Sequence, residues 1–236
     1  MKNIAFFLVA LFGLFSFFSL QAQEIEKVSE FDKLSVAGPF KVKLIKSDEY
    51  KFTMERNGYS KNDVEIEERA GELSFKVRNK AFIERDFDYD DFIEVEIFYI
   101  EIEEIKVSMG ASLKSDDVIK SSYLTLEVAM GGNINVSAEV KEIDINVTMG
   151  GIAKITGNAN RGYFTTNMGG EILARELMVK EANAKVNMGG VIMISVSDEI
   201  SASANLGGVI SYYGDPDYVD TSITLGGEIR RRSIKN

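Results

Sequence analysis

The sequence predicts an all-β fold, a parallel β-helix (β-solenoid) of ~19-residue coils behind a β-rich N-terminal capping part. Three observations predict it. A short glycine motif recurs at near-constant spacing through the second half of the chain. Around each copy apolar and polar residues alternate, which is the period of a strand with one buried face. Pro occurs only at Pro39 and Pro216, so no repeat interior is interrupted.

The opening stretch sets the compartment. Lys2 is followed by an uncharged apolar run from Ile4 to Leu20, and Leu20-Gln21-Ala22 fits a small-residue cleavage site. This layout predicts a secretory signal peptide over residues 1–22 and a mature chain starting at Gln23, with no membrane span after cleavage. The expected location is the periplasm or cell surface. Three segments follow: 1–22 signal peptide, 23–104 β-rich N-terminal part or first irregular coils, and 105–236 regular coils.

The N-terminal part reads as strands joined by turns. Phe31 to Val36 leads into Ala37-Gly38-Pro39, a turn signal, and Phe40 to Ile45 alternates again. Val64 to Glu67 and Leu73 to Val77 flank Ala70-Gly71-Glu72 and predict a hairpin. Ile93 to Ile97 alternates and runs towards the first motif copy. This part is expected to cover the first coil, because an open solenoid end exposes strand edges and core.

The regular coils rest on seven copies of Met or Leu followed by two small residues. They begin at Met109, Met130, Met149, Met168, Met188, Leu206 and Leu225, with spacings of 21, 19, 19, 20, 18 and 19 residues. The predicted structural corners are Gly110, Gly131, Gly132, Gly150, Gly151, Gly169, Gly170, Gly189, Gly190, Gly207, Gly208, Gly226 and Gly227. Two residues before the Met/Leu stand Val107, Val128, Val147, Thr166, Val186, Ala204 and Ile223. Four after it stand Leu113, Ile134, Ala153, Ile172, Ile192, Ile210 and Ile229. Carried through the motif, this alternation also turns the Met/Leu side chains inward, as a packed column. One coil cannot bury its own inward row, so each needs neighbours above and below. The glycines answer to positive φ or close chain approach at a stacked corner, and Val at Gly150 or Gly169 is expected to cost several kcal/mol.

Composition bounds the chemistry. The 236 residues are 45% hydrophobic and 27% charged, with a net charge of −10 and no Cys, His or Trp. Disulfides, thiol chemistry, His-based triads and the usual zinc sites are excluded. An acidic chain lacks the basic field of a nucleic-acid binder. A phosphate loop would need a helix after its glycines, and here a strand follows. Calcium β-rolls carry Asp beside Gly-Gly, and these copies have none. Thioether copper ligation is set aside because the methionines are expected to face inward.

One acidic stretch supplies candidate calcium ligands, Asp86, Asp88 and Asp90, at Asp-x-Asp-x-Asp spacing. In a calcium loop of that type position six is Gly and position twelve is Glu, but here they are Asp91 and Ile97, so no metal is assigned. Polysaccharide cleavage needs two carboxyl groups ~5–9.5 Å apart. The column three residues after the motif Met offers Glu171 and Glu228, three coils or roughly 14 Å apart. No catalytic or cofactor-binding residue is therefore assigned, no cofactor is expected, and the chain is read as a non-enzyme.

The leader, the segment Phe31-Asp32-Lys33-Leu34-Ser35-Val36-Ala37-Gly38-Pro39-Phe40-Lys41-Val42 and the Gly-rich strand ends from Val107 onward resemble the GIN-domain family. That family is described as the head of an auto-transporter adhesin and is common in exported proteins of Bacteroidota. Its members carry Ser-Gly-Ser-Gly-like turns where this chain has Met-Gly-Gly. The resemblance spans roughly Phe31 to Ile229 and implies a right-handed β-helix with no catalytic residues to carry over. It further implies an adhesin or binding module of the cell envelope with a protein or glycan ligand in the envelope or on a host surface. The alternative expectation is a structural or sensing envelope protein that binds a peptide or protein.

Overall fold

The computed structural model describes residues 24–78 and 91–233. The signal-peptide expectation over 1–22 lies outside them. The N-terminal strands are β1 (Glu24–Lys27), β2 (Lys33–Ala37), β3 (Phe40–Lys46), β4 (Lys51–Asn57), β5 (Val64–Arg69), β6 (Glu72–Val77) and β7 (Phe92–Tyr99). The regular coils comprise β8 (Glu104–Ser108), β9 (Ser112–Val128), β10 (Asn133–Thr148), β11 (Ile152–Asn167), β12 (Glu171–Val186) and β13 (Val191–Asn205). β14 (Val209–Tyr213), β15 (Tyr218–Thr224) and β16 (Glu228–Arg232) follow. No α-helix occurs among the described residues. The fold is a β-solenoid of about seven turns.

Each regular coil is a flattened loop with two sides. The strand before the Gly-Gly corner lies on one side and the strand after it on the other. Stacking is parallel: Asn133 of β10 pairs with Ser112 of β9 and with Ile152 of β11, and Thr148 pairs with Asn167 one coil on. At the far end of the β10–β11 coils the pairing continues round the bend, so Val140↔Ala159 and Glu142↔Arg161 belong to a single 16-residue strand, whereas the last coil breaks between β14 and β15. Unequal coil lengths are absorbed as bulges. The 21-residue first spacing appears as extra residues in β9, where Lys114 pairs with Asn135 but Val118 pairs with Ser137.

The inward columns form the core. Val107, Val128, Val147, Val186 and Ala204 are buried, as are Leu113, Ile134, Ala153, Ile172, Ile192 and Ile210. The last copy differs: Ile223, on β15, is 52% exposed.

The N-terminal part is itself solenoidal, but its coils are not stacked in chain order. β2–β3 forms a coil turned at Gly38-Pro39. It lies between the coil of β8–β9 on one side and β6–β7 on the other, with β2 paired to both β6 and β8 and β3 to both β7 and β9. Antiparallel strands then close that end: β5 on β6 in the expected hairpin, β4 on β7, and β1 on β4. Phe40, Phe52 and Phe75 fill the core beneath them, with Phe52 and Phe75 edge to face at 5.1 Å.

Candidate functional site

Two features of the surface stand out, an edge built by the repeat and a groove where the repeat meets the N-terminal strands. At the edge, each motif makes a type I′ turn, with positive φ at both central residues. In the third copy Met149 has φ 50° and Gly150 φ 71°, and the Gly151 N–H donates to the Thr148 carbonyl at 3.0 Å. The turn interrupts the alternation and swings the motif side chain outward. Met109, Met130, Met149, Met168 and Met188 are 42–55% exposed. The expectation of an inward, packed methionine column is therefore corrected: the pleat does not carry through a turn whose residues are left-handed.

The two glycines of a copy have different physical roles. A Cβ on Gly150 would meet nothing within 4 Å, so positive φ alone explains it. A Cβ on Gly170 would lie 2.4 Å from the Val147 carbonyl oxygen, so close approach of the preceding coil explains that one. The crowding expected at Gly150 and Gly169 thus belongs to the second glycine. Beside the turns, side chains at the preceding position link the coils. Asn187 donates through its side-chain amide to Asn167 at 3.0 Å, Asn205 donates to Asn187 at 3.1 Å, and the Thr224 hydroxyl donates to Asn205. The sequence shows these positions as small and polar; the amide ladder itself becomes visible only with the register.

The groove lies on the opposite side chains of the post-corner strands and has a volume of ≈ 480 Å³. Register sets its floor as two rows across β7, β3, β9 and β10. One reads Glu94, Lys41, Ser112, Asn133, and the other Glu96, Lys43, Lys114, Asn135. Neighbouring members stand ~4.8 Å apart, the strand spacing. Lys41 Nζ sits 3.1 Å from the centroid of the Phe92 ring, which fixes the ammonium over the acidic end. Lys43 reaches Asp116 at 3.9 Å, and Asp116 stands in the bulged stretch of β9. Glu94 and Glu96 on β7, three lysines on β3 and β9, and Asn133 and Asn135 on β10 line the groove in that order. Sequence reasoning missed it, because Lys41 and Lys114 are distant in the chain and meet only through the β3–β9 pairing.

The candidate calcium ligands Asp86, Asp88 and Asp90 lie outside the described residues. Glu171 and Glu228 stand in one column with Val191 and Val209 between them, which keeps the three-coil separation. Among the described residues no group of three or more Asp and Glu side chains is placed to hold a metal ion, and no helix is long and apolar enough to cross a membrane.

With this geometry in place, comparison with known proteins decides the family. The family model described as "Putative auto-transporter adhesin, head GIN domain" matches residues 30–216. The chain belongs to the GIN-domain family. Solved structures share the fold of this chain. A "putative adhesin" from Bacteroides fragilis is 16% identical with a TM-score of 0.79, covering 89% of this chain and 96% of that one. A "putative adhesin" from Parabacteroides distasonis is 20% identical with a TM-score of 0.69, covering 89% and 96%. A "Putative lipid binding protein" from the same species is 16% identical with a TM-score of 0.66, covering 90% and 96%. A search of curated proteins finds no match. The family and two of these three structures carry adhesin names, and the fold is shared with all three.

Proposed function

We propose that the protein is an exported, non-enzymatic adhesion module of the cell envelope and that it holds an acidic glycan in the groove over β7, β3, β9 and β10. One observation carries the reading: Lys41, Lys43 and Lys114 share one face, beside Glu94 and Glu96, of a chain whose net charge is −10. An ammonium cluster flanked by Asn133 and Asn135 suits a ligand with both anionic groups and hydroxyls. A rigid sheet presents these groups without the ordering cost of a loop site. Adhesin names on the family and on two of the similar structures support the binding role, and an envelope location accords with them.

The test is a glycan array bearing uronate- and sulfate-containing oligosaccharides beside neutral ones. Wild type binds the acidic set, and binding falls as salt rises. The triple variant Lys41→Ala, Lys43→Ala, Lys114→Ala loses it, while Lys180→Ala, on β12, keeps it. Binding to neutral glycans alone, or unchanged binding by the triple variant, overturns the assignment of the groove. Capture of a single envelope protein with no glycan bound would favour the sensing alternative.

A further inference from the structure

Turn formation does not ask for methionine. The first central position of a type I′ turn is filled at least cost by Gly, Asn or Asp. A side chain such as Met at left-handed φ costs roughly 1–2 kcal/mol. This chain repeats that strain in seven coils, with φ from 48° to 55°. Packing does not ask for methionine either, because the five motif methionines are 42–55% exposed. Leu206 and Leu225 hold the same turn in the last two copies, so hydrocarbon alone satisfies the geometry. What Met has and Leu lacks is a thioether, a soft donor suited to Cu(I) and ions like it.

The backbone sets these thioethers in a line. The Gly110 N–H donates to the Met130 carbonyl at 3.1 Å, Gly131 to Met149 at 3.2 Å, Gly150 to Met168 at 3.2 Å and Gly169 to Met188 at 3.1 Å. The five turns are therefore locked one above another at the ~4.8 Å ladder spacing. Two metal–sulfur bonds of ~2.3 Å laid end to end span nearly that distance. The carbonyls of Met130, Met149, Met168 and Met188 are taken up by the coil before, and the exposed Met side chains supply the soft donors of the edge. No Cys or His occurs anywhere in the sequence, so no stronger soft ligand competes.

We propose that Met109, Met130, Met149, Met168 and Met188 form a surface thioether column that binds soft monovalent cations of the Cu(I) and Ag(I) class, each ion held between methionines of adjacent coils. The column stands on the corner edge, apart from the groove on the sheet face, and its methionines face outward, where thioether ligation is open to them.

The probe is Ag(I), which needs no reductant, added as its nitrate in chloride-free buffer. Calorimetry and native mass spectrometry read the number bound, and ¹³C-methyl methionine spectra read where. Saturable binding is expected, with shifts at the five column methyls and none at buried Met54 or at Met178, which stands outside the column. A bound ion held only by the folded state also raises Tm. Replacing all five column methionines by Leu should abolish binding and leave the circular dichroism unchanged, since Leu206 and Leu225 already occupy this turn. Leu206→Met with Leu225→Met should lengthen the column and raise its capacity. Absence of saturable Ag(I) binding by wild type, or equal binding by the five-Leu variant, overturns the proposal. Should that variant not fold, the methyl spectra of wild type decide: shifts spread over Met54 and Met178 as well would also overturn it.

Discussion

At the residue scale, two glycines one coil apart separate two physical effects. Gly150 is required for its φ of 71°, with open space where a Cβ would stand. Gly170 is required because a Cβ would meet the Val147 carbonyl at 2.4 Å. Gly150→Ala should therefore cost about 1–2 kcal/mol, the price of a left-handed alanine. Gly170→Ala should cost more, about 2–3 kcal/mol, because two stacked backbones must separate. Chemical denaturation of the two variants checks the order, and an equal loss would mean that the corners stack less closely than described. Tyr99 is a second informative residue. Its ring and hydroxyl are buried, and among the described residues the hydroxyl has no hydrogen-bond partner. Burial pushes its pKa up to about 12, and the nearby charge of Asp117 adds to the rise. The folded state thus holds this proton more tightly than the unfolded chain, whose tyrosine titrates near ~10. The associated stabilisation is complete below pH ~10 and is lost as the pH rises towards 12. Tyr99→Phe should be at least as stable as wild type at pH 7, since it removes an unpartnered polar group. Denaturation between pH 9 and 12 should then show a shallower decline in the variant.

At the element scale, the repeat makes coils interchangeable. Thr148 pairs with Asn167, so removing residues 149–167 joins Thr148 to Met168 in the same phase of the motif. Such a deletion should fold, retain an all-β spectrum and unfold cooperatively at a lower Tm, because it subtracts one coil and one interface from a one-dimensional stack. Removing only residues 149–158 leaves half a coil and places the next corner against a strand, and should give no folded protein. Size-exclusion chromatography and thermal melts distinguish the two results. The same locality explains what the sequence discloses. Spacing and alternation fix coil length, corner positions and the buried columns, because each depends on neighbours within about twenty residues. The outward methionines are hidden because two left-handed residues break the alternation without changing the residue pattern. The insertion of β2–β3 between β6–β7 and β8–β9 is hidden for another reason. β6 and β8 both alternate as β2 does, and nothing local says that β2 pairs with each of them. The groove inherits that difficulty, since its lysines meet only once this stacking is known.

At the scale of the whole molecule, the two ends of the solenoid differ. One is closed by β5 on β6 and by β4 and β1 beyond β7, with Phe52 and Phe75 packed beneath. At the other, among the described residues, no strand pairs with the outer edge of β15. Val219 is 44% and Ile223 52% exposed, where their partners Ile200 and Ala204 on β13 are fully buried. In a stack held by nearest-neighbour interfaces, an element with one interface opens before an element with two. Backbone amides of β15 and β16 should therefore exchange fastest in hydrogen–deuterium exchange, with protection rising through β13 to a plateau at β10–β12. The antiparallel closure should hold β6 and β7 near that plateau, although they too lie at an end. Because the Asn167–Asn187–Asn205 ladder ties β11, β12 and β13 together, Asn187→Ala removes two side-chain hydrogen bonds, worth about 1–3 kcal/mol together. It should move the boundary of fast exchange inward from β15 to β13 while leaving β6 and β7 unchanged. Uniformly faster exchange along the chain would show that the solenoid opens as a single unit and not from one end.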